Sequence, residues 1–198
     1  MKNTLAVFFL SLLAVTAVHA QGPAYPYSVA LAFTASTGTV TGYNMYRAPY
    51  TTSCGAFTKL NTTPFTATSY TDSNPPQGGY CYAATALAGT VESGLSNVDS
   101  NIQIPPPPPT GLGATVATLH GVETEQSTWV QSKGAVNTNQ LYCRPTATGP
   151  LTDVVNISKP AVGVSLTTFT KGTHYCVVTA TGPHGQSGPS NQVALTVN

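Results

Sequence analysis

Five consecutive prolines at positions 105–109 constrain the fold more than any other feature of this sequence. Proline has no backbone N–H group and a fixed φ angle, so the run cannot join a sheet ladder and favours an extended polyproline II conformation. The 198-residue chain is therefore predicted to contain a stiff linker, residues 105–110, between two domains at residues 21–104 and 111–198. Each domain is close to the roughly 100 residues of a small β-sandwich.

The two predicted domains resemble each other in sequence. Residues 93–97 read Ser-Gly-Leu-Ser-Asn and residues 187–191 read Ser-Gly-Pro-Ser-Asn. At the same offset of 94 residues, the Ala-Thr-Ala of residues 84–86 corresponds to the Val-Thr-Ala of residues 178–180. This self-similarity indicates an internal duplication.

Apolar side chains follow a period of two along several short segments. Val29, Leu31 and Phe33 alternate with small residues, as do alternate positions of residues 80–86. No helical period follows residue 20, and 18 glycines with 16 prolines supply many turns. Short strands bury a core by stacking two sheets. The pattern predicts an all-β fold of two tandem antiparallel β-sandwiches.

Residues 1–20 have the pattern of a secretory signal peptide. Lys2 precedes an apolar run at residues 5–18, and Val18 and Ala20 place small residues three and one positions before the predicted cleavage after Ala20. The run is shorter than the approximately 20 residues of a membrane span. The mature chain is therefore expected to be secreted, extracellular or at the cell surface, without a membrane span. An uncleaved N-terminal anchor is the alternative.

Cys54, Cys81, Cys143 and Cys176 are the cysteines of the chain. An even number of cysteines in an exported protein indicates structural disulfides, here with three possible connectivities. The spacings contain no Cys-x-x-Cys and no nearby histidine pair, so no zinc site is expected.

Several segments of the first domain, in their order and spacing, resemble a bacterial-type fibronectin type III domain. These segments are residues 28–35 (Ser-Val-Ala-Leu-Ala-Phe-Thr-Ala), 42–47 (Gly-Tyr-Asn-Met-Tyr-Arg), 68–72 (Thr-Ser-Tyr-Thr-Asp), 80–86 (Tyr-Cys-Tyr-Ala-Ala-Thr-Ala) and 93–97. The second domain resembles the family from Trp129 onward and departs from it between Gly111 and Ser127. The resemblance implies immunoglobulin-like sandwiches, with Phe33 in the core and a tyrosine corner from the strand of Tyr80 and Tyr82.

The resemblance also implies a disulfide pairing. In that fold the third and sixth strands are antiparallel neighbours, which brings Cys54 near Cys81 and Cys143 near Cys176. Because Cys81 aligns with Tyr175 and Cys176 aligns with Tyr82, strand parity places the two bonds on opposite faces of their sheets.

Charged residues make up only 7% of the chain, with 7 basic and 6 acidic side chains. Nucleic-acid binding and attachment to a membrane surface both need clustered Lys and Arg, so neither is expected.

No catalytic, cofactor or metal site is predicted, and the chain is not expected to be an enzyme. Glu123 and Glu125 would share one face of a strand, but a sandwich of this size rarely encloses a cleft. His120, His174 and His184 lack metal-binding spacing and acidic neighbours in the sequence.

Tyr46 and Tyr50 are candidates for an exposed binding surface, Tyr46 by parity against Tyr43 and Met45. Exposed tyrosine can contact proteins or sugars at low entropic cost, although ordinary sheet propensity also explains tyrosine in strands. The sequence therefore predicts a secreted, non-catalytic interaction or spacer protein that contacts an extracellular protein or polysaccharide. The alternative function is a carbohydrate-binding accessory protein of an extracellular polysaccharide-degrading system.

Overall fold

The computed structural model describes residues 10–11, 25–119, 122–151, 153–158, 160–167 and 169–198. These residues form two compact units, of which the first holds residues 10–11 and 26–104 and the second holds residues 25 and 105–198. Every regular element in the described part of the chain is a β-strand, and every strand pairing is antiparallel. The predicted all-β fold class is confirmed.

The first unit contains two sheets. Its strands are β1 (Leu10–Ser11), β2 (Ser28–Phe33), β3 (Gly42–Pro49), β4 (Thr58–Lys59), β5 (Ser69–Ser73), β6 (Gly78–Ala88), β7 (Val91–Glu92) and β8 (Asp99–Ile104). One sheet has the order β1-β2-β5, and the other has the order β4-β3-β6-β7 with β8 also paired to β6. Apart from β1, the predicted signal peptide lies outside the described residues.

The core of the first unit is formed by alternate residues of facing strands. Val29, Leu31 and Phe33 of β2 are buried there, and the ring centroids of Phe33 and Tyr43 lie 4.8 Å apart in an edge-to-face arrangement. Such aromatic pairs add about 0.5–1.5 kcal/mol beyond the area that they bury. Phe33 thus occupies the core position that the sequence resemblance implies.

The second unit also contains two sheets. Its strands are β9 (Thr110–Leu119), β10 (Val122–Val130), β11 (Thr138–Arg144), β12 (Asp153–Ile157), β13 (Gly163–Leu166), β14 (Gly172–Gly182), β15 (Gly185–Gln186) and β16 (Val193–Val197). The orders are β13-β10-β9 and β12-β11-β14-β15, with β16 also paired to β14. The segment from Gly111 to Ser127, which departs from the family pattern in sequence, forms the paired strands β9 and β10 with Glu125 opposite Val116.

The repeated Ser-Gly-x-Ser-Asn motif makes the same hydrogen bonds in both units. The Ser93 hydroxyl accepts a hydrogen bond from the Ala86 N–H at 3.0 Å, and the Ser93 N–H donates to the Ala86 carbonyl at 2.9 Å. Ser187 makes the same pair of bonds to Ala180, at 2.9 and 2.8 Å. The serine therefore satisfies backbone groups of the long strand where its edge would otherwise have no partner.

The two disulfides join Cys54 to Cys81 and Cys143 to Cys176, each within one unit. Cys143 and Cys176 are directly opposed on β11 and β14, and both lie in the core of the second unit. Cys81 alternates with the core residue Tyr82, so its side chain belongs to the outer face of its sheet. The structure confirms both pairings and the placement on opposite faces.

The prolines at positions 105–109 belong to the second unit, before β9. Pro106 and Pro109 are almost completely buried. The part of the chain that the structure describes contains no helix that is long and apolar enough to cross a membrane.

Candidate functional site

Tyr46 lies on the outer face of β3, away from the core of the first unit. Tyr43 and Met45 of the same strand both point into the core, so the alternation of side chains places Tyr46 on the opposite face. Across the sheet, Tyr46 is paired with Ala83 of β6. Tyr50 follows the end of β3 and forms an isolated bridge with Cys54. Both candidate tyrosines are partly exposed.

Glu92 of β7 accepts three side-chain hydrogen bonds beside Tyr46. The donors are the Asn44 amide at 2.8 Å, the Tyr46 hydroxyl at 2.7 Å and the Thr85 hydroxyl. The turn between β6 and β7 brings Glu92 back opposite Leu87, two residues beyond Thr85. We call Asn44, Tyr46, Thr85 and Glu92 the Glu92 cluster.

A second layer of hydrogen bonds orients the Asn44 side chain. The Asn61 amide group donates to Asn44 Oδ1 at 2.8 Å, while Asn61 Oδ1 accepts from the Met45 N–H at 2.8 Å. Asn44 and Thr85 are 1% and 3% exposed, so two of the three groups that hold the carboxylate belong to the body of the sheet. The exposed Glu92 carboxylate is therefore held in a fixed position.

These bonds also set the charge of the cluster. Hydrogen bonds from Asn44, Thr85 and Tyr46 lower the pKa of Glu92 to about 2, and the positive charge of Lys59 acts in the same direction. The pKa of Tyr46 is raised, chiefly because its hydroxyl donates to that carboxylate. Glu92 is thus an anion, and Tyr46 a neutral donor, at physiological pH.

The second unit has a matching cluster at equivalent positions. Asn44 is paired with Thr85 across the first sheet, and Gln140 is paired with Thr179 across the second. Here the Gln186 amide nitrogen, which carries two N–H groups, lies within hydrogen-bond distance of three acceptors: the Gln140 side-chain oxygen at 2.6 Å and the hydroxyls of Tyr142 and Thr179, each at 2.8 Å. We call Gln140, Tyr142, Thr179 and Gln186 the Gln186 cluster.

The two clusters differ in exposure as well as in charge. Tyr142 is only 5% exposed, whereas its counterpart Tyr46 is partly exposed. A carboxylate is costly to remove from water, while an amide with its hydrogen bonds made is tolerated. The charged residue accordingly stands in the open cluster and the neutral one in the covered cluster.

An ion pair joins the two sheets of the first unit. Arg47 Nη1 of β3 lies 2.7 Å from Asp72 Oδ2 of β5, and the Tyr82 hydroxyl donates to the same oxygen at 2.8 Å. Burial, followed by the neighbouring carboxylate, raises the pKa of Tyr82 strongly. In a tyrosine corner the hydroxyl bonds to the backbone. The implied corner is therefore corrected: Tyr82 bonds to a side chain of the opposite sheet, because Asp72 faces it there.

The glutamates considered for catalysis do not form an accessible pair. Glu125 of β10 is buried and accepts a hydrogen bond from the Ser127 hydroxyl, while Glu123 accepts one from the Asn198 N–H at 2.9 Å. Burial raises the pKa of Glu125, which hydrogen bonding from Ser127 and the charge of His174 partly offset. The fold thus gives His174 an acidic neighbour that its sequence context lacks.

His174 lies near the start of β14 and is buried. Its Nε2 atom is 2.8 Å from the Thr170 carbonyl oxygen, and its ring packs on Phe169 with centroids 4.8 Å apart. His184 lies in the turn before β15, and His120 lies outside the described residues. No group of three His, Cys, Asp or Glu side chains within the described ranges is arranged to hold a metal ion.

The second unit also carries a shallow groove of about 400 Å³. Its lining includes Tyr25, Pro109 and Pro189. Ser190, another lining residue, uses its hydroxyl to accept a hydrogen bond from the Val178 N–H at 3.0 Å. The groove therefore offers contact area, and its Ser190 hydroxyl is engaged with the backbone.

Sequence reasoning found Tyr46 but not its partners. Glu92 was notable in the sequence only as the residue before the Ser-Gly-Leu-Ser-Asn turn. The available signal was the duplication itself. Glu92 and Gln186 each stand directly before one copy of that motif. Thr85 and Thr179 likewise stand at the same distance from the copy that follows each of them.

No protein-family model and no curated protein sequence matches this chain. A segment of two fibronectin type III domains from chicken tenascin is 13% identical, with coverage of 86% of this chain and 92% of that chain and a TM-score of 0.51. The FN1–FN3 domains of chicken CNTN1 are 16% identical, with coverage of 90% and 64% and a TM-score of 0.43. An Fn3-like protein from Clostridium thermocellum is 24% identical, with coverage of 46% and 92% and a TM-score of 0.41.

The tenascin segment alone has a TM-score above 0.5 among these three, and it consists of two consecutive domains that cover most of both chains. The chain described above therefore has the fold of a tandem pair of fibronectin type III domains.

Proposed function

We propose that this protein is a secreted, non-catalytic interaction or spacer protein whose first unit contacts an extracellular partner through the Glu92 cluster. The observation that carries the proposal is the partly exposed Tyr46, held by a fixed carboxylate on the outer face of a sheet. A side chain that is already ordered loses little conformational entropy when a partner binds. The partner is an extracellular protein or a polysaccharide.

The two disulfides support the extracellular assignment. Such bonds persist in oxidising compartments and are rare in the cytosol. The pattern of residues 1–20 supports export by the same route. Expression of the full chain in a secreting host tests this assignment, since N-terminal sequencing of the protein in the medium should begin at Gln21. Retention of residues 1–20 on the exported protein would contradict the predicted cleavage.

The fold and the burial of Glu125 and His174 support a non-catalytic role. The fold is that of tandem fibronectin type III domains, and Glu125 and His174 are both enclosed in the second unit. A general acid or base must come within hydrogen-bond reach of the substrate. An activity screen with the Glu123→Gln and Glu125→Gln variants tests this assignment, because turnover that disappears in either variant would contradict it.

The interaction surface is tested by retention of the purified chain on intact cells and extracellular matrix of the secreting organism. A Tyr46→Ala, Glu92→Ala double variant should be retained less than the unmodified chain. Val91→Ala is the matched control, because Val91 is exposed beside Glu92 and makes none of the cluster's hydrogen bonds. Equal retention of the double variant and the unmodified chain would exclude the Glu92 cluster as the contact.

A further inference from the structure

The Gln186 cluster indicates what the fold itself requires at this position. An amide there holds the equivalent strands together through the hydrogen bonds of its two N–H groups, without any charge. Glu92 accepts three hydrogen bonds and adds a negative charge on an exposed surface. An uncharged side chain can therefore hold the strands together at this position, and we take the exposed charge of Glu92 as a feature of binding.

One oxygen of the Glu92 carboxylate is available to a ligand. All three donors bind Oε1, and Oε2 accepts no hydrogen bond from the residues that the structure describes. A carboxylate oxygen accepts strong, charge-assisted hydrogen bonds from hydroxyl or cationic donors. Because Asn44, Tyr46 and Thr85 already fix the group, a ligand donor meets an acceptor that needs no reordering.

The position of Lys59 favours an uncharged ligand over a cationic one. It lies directly opposite Tyr46 on β4, is exposed, and is close enough to Glu92 to lower the pKa of that carboxyl. The two opposite charges make the surface locally neutral, so a basic segment of a protein gains little attraction there. For the same reason an acidic ligand gains little attraction from Lys59.

The chemistry that remains is that of a hydroxyl-rich, uncharged ligand. A hydroxyl group both donates and accepts hydrogen bonds, which matches Glu92 Oε2 as acceptor and the Lys59 ammonium as donor. The Tyr46 ring between them offers an apolar surface to the C–H groups of a sugar. Building on the proposed function, we infer that the face formed by Tyr46, Lys59 and Glu92 binds a neutral polysaccharide.

Affinity electrophoresis and pull-down with a defined panel of neutral polysaccharides test this inference. The probes are cellulose, chitin, xylan, mannan, starch and β-1,3-glucan, each offered to the full secreted chain. At least one probe should bind, and Tyr46→Ala should weaken that binding by at least about tenfold, which corresponds to about 1.4 kcal/mol. Glu92→Gln should weaken it by roughly tenfold or more through loss of charge-assisted hydrogen bonds.

Two control variants keep the experiment interpretable. Gln186 indicates that an amide is accommodated at this position, so Glu92→Gln removes the charge with little change in shape. Tyr142→Phe alters the covered cluster and Val91→Ala alters an exposed neighbour, and both should bind within about twofold of the unmodified chain. The affinity should also change by less than about twofold between roughly 50 and 500 mM NaCl, because screening acts on charged ligands.

Three results would overturn the inference: no probe bound by the unmodified chain, equal binding by the Tyr46→Ala variant, or tighter binding of polylysine than of every neutral polysaccharide. The retention assay on cells and matrix separates these failures. If retention still depends on Tyr46 while every polysaccharide fails, the ligand class is wrong and the proposed interaction function stands.

Discussion

Glu92 and Gln186 occupy equivalent positions in the two units, and their hydrogen bonds have opposite polarity. The Glu92 carboxylate accepts from three side chains, whereas the Gln186 amide nitrogen donates its two N–H groups among three neighbouring acceptors. Duplication has thus preserved the geometry of a cluster while its charge and its exposure diverged.

Glu92→Gln should destabilise the first unit at neutral pH and lose this effect in acid. The folded unit lowers the pKa of Glu92 from its ordinary value of 4.5 to about 2, so the ionised group adds stability above about pH 4.5. That stability is lost as pH falls through the folded pKa. Thermal unfolding at several pH values should show the difference between variant and unmodified chain shrinking from pH 5 to pH 2. An equal difference at all pH values would contradict the assignment.

In the second unit, Glu125→Gln should have the opposite effect on stability at neutral pH. Burial raises the pKa of Glu125, so folding favours the protonated form, and stability falls as pH rises through the folded pKa. The glutamine variant should therefore be more stable than the unmodified chain at pH 8 and similar to it at pH 4. Urea unfolding at the two pH values measures this. A variant that is less stable at pH 8 would mean that the ionised carboxylate is favourably paired.

Tyr82→Phe should destabilise the first unit by about 2 kcal/mol, because it removes a hydrogen bond to a buried carboxylate. Arg47→Met should lower the free energy of unfolding by about 2–3 kcal/mol. This is somewhat less than the cost of breaking a fully buried ion pair, because Arg47 is partly exposed. Urea unfolding of the two single variants and of the double variant measures the coupling free energy between Tyr82 and Arg47. Additive effects would contradict the shared contact with Asp72 Oδ2.

Removal of either disulfide should destabilise its own unit. The bonds span 27 and 33 residues, for which restriction of the unfolded chain contributes about 3–4 kcal/mol. Cys143→Ala with Cys176→Ala should cost more than Cys54→Ser with Cys81→Ser, because it also leaves a cavity in a core. Calorimetry measures both effects. Peptide mapping without reductant should recover only the two bonds within units, and a bond between units would refute the pairing.

Much of the fold follows from local signals in the sequence. The period of two at Val29, Leu31 and Phe33 assigns a strand and its buried face, and both are found in β2. The disulfide pairing needed the family resemblance as well, because four cysteines allow three connectivities. The prediction of a tyrosine corner was wrong because the sequence of β6 does not reveal that Asp72 of the opposite sheet lies beside Tyr82.

The candidate site is harder to predict because its residues are distant in the chain. Asn44 and Glu92 are 48 residues apart and meet only through the pairing of β3 with β6 and of β6 with β7. The alternation of side chains along β3 therefore places Tyr46 on the outer face, but it cannot identify Glu92 as the residue that Tyr46 contacts. Glu125 and His174 likewise interact across two sheets, so spacing rules for histidine did not detect the contact.

The Cys143–Cys176 bond occupies the register positions that Arg47 and Tyr82 occupy in the first unit. A reductant would consequently open a covalent link inside the second core, whereas in the first unit it would release only the loop ended by Cys54. The duplicated halves thus have different chemical vulnerabilities. In a reducing environment we expect the first unit, which carries Tyr46, to stay folded longer than the second, so that the proposed contact through Tyr46 would outlast the unfolding of the second unit.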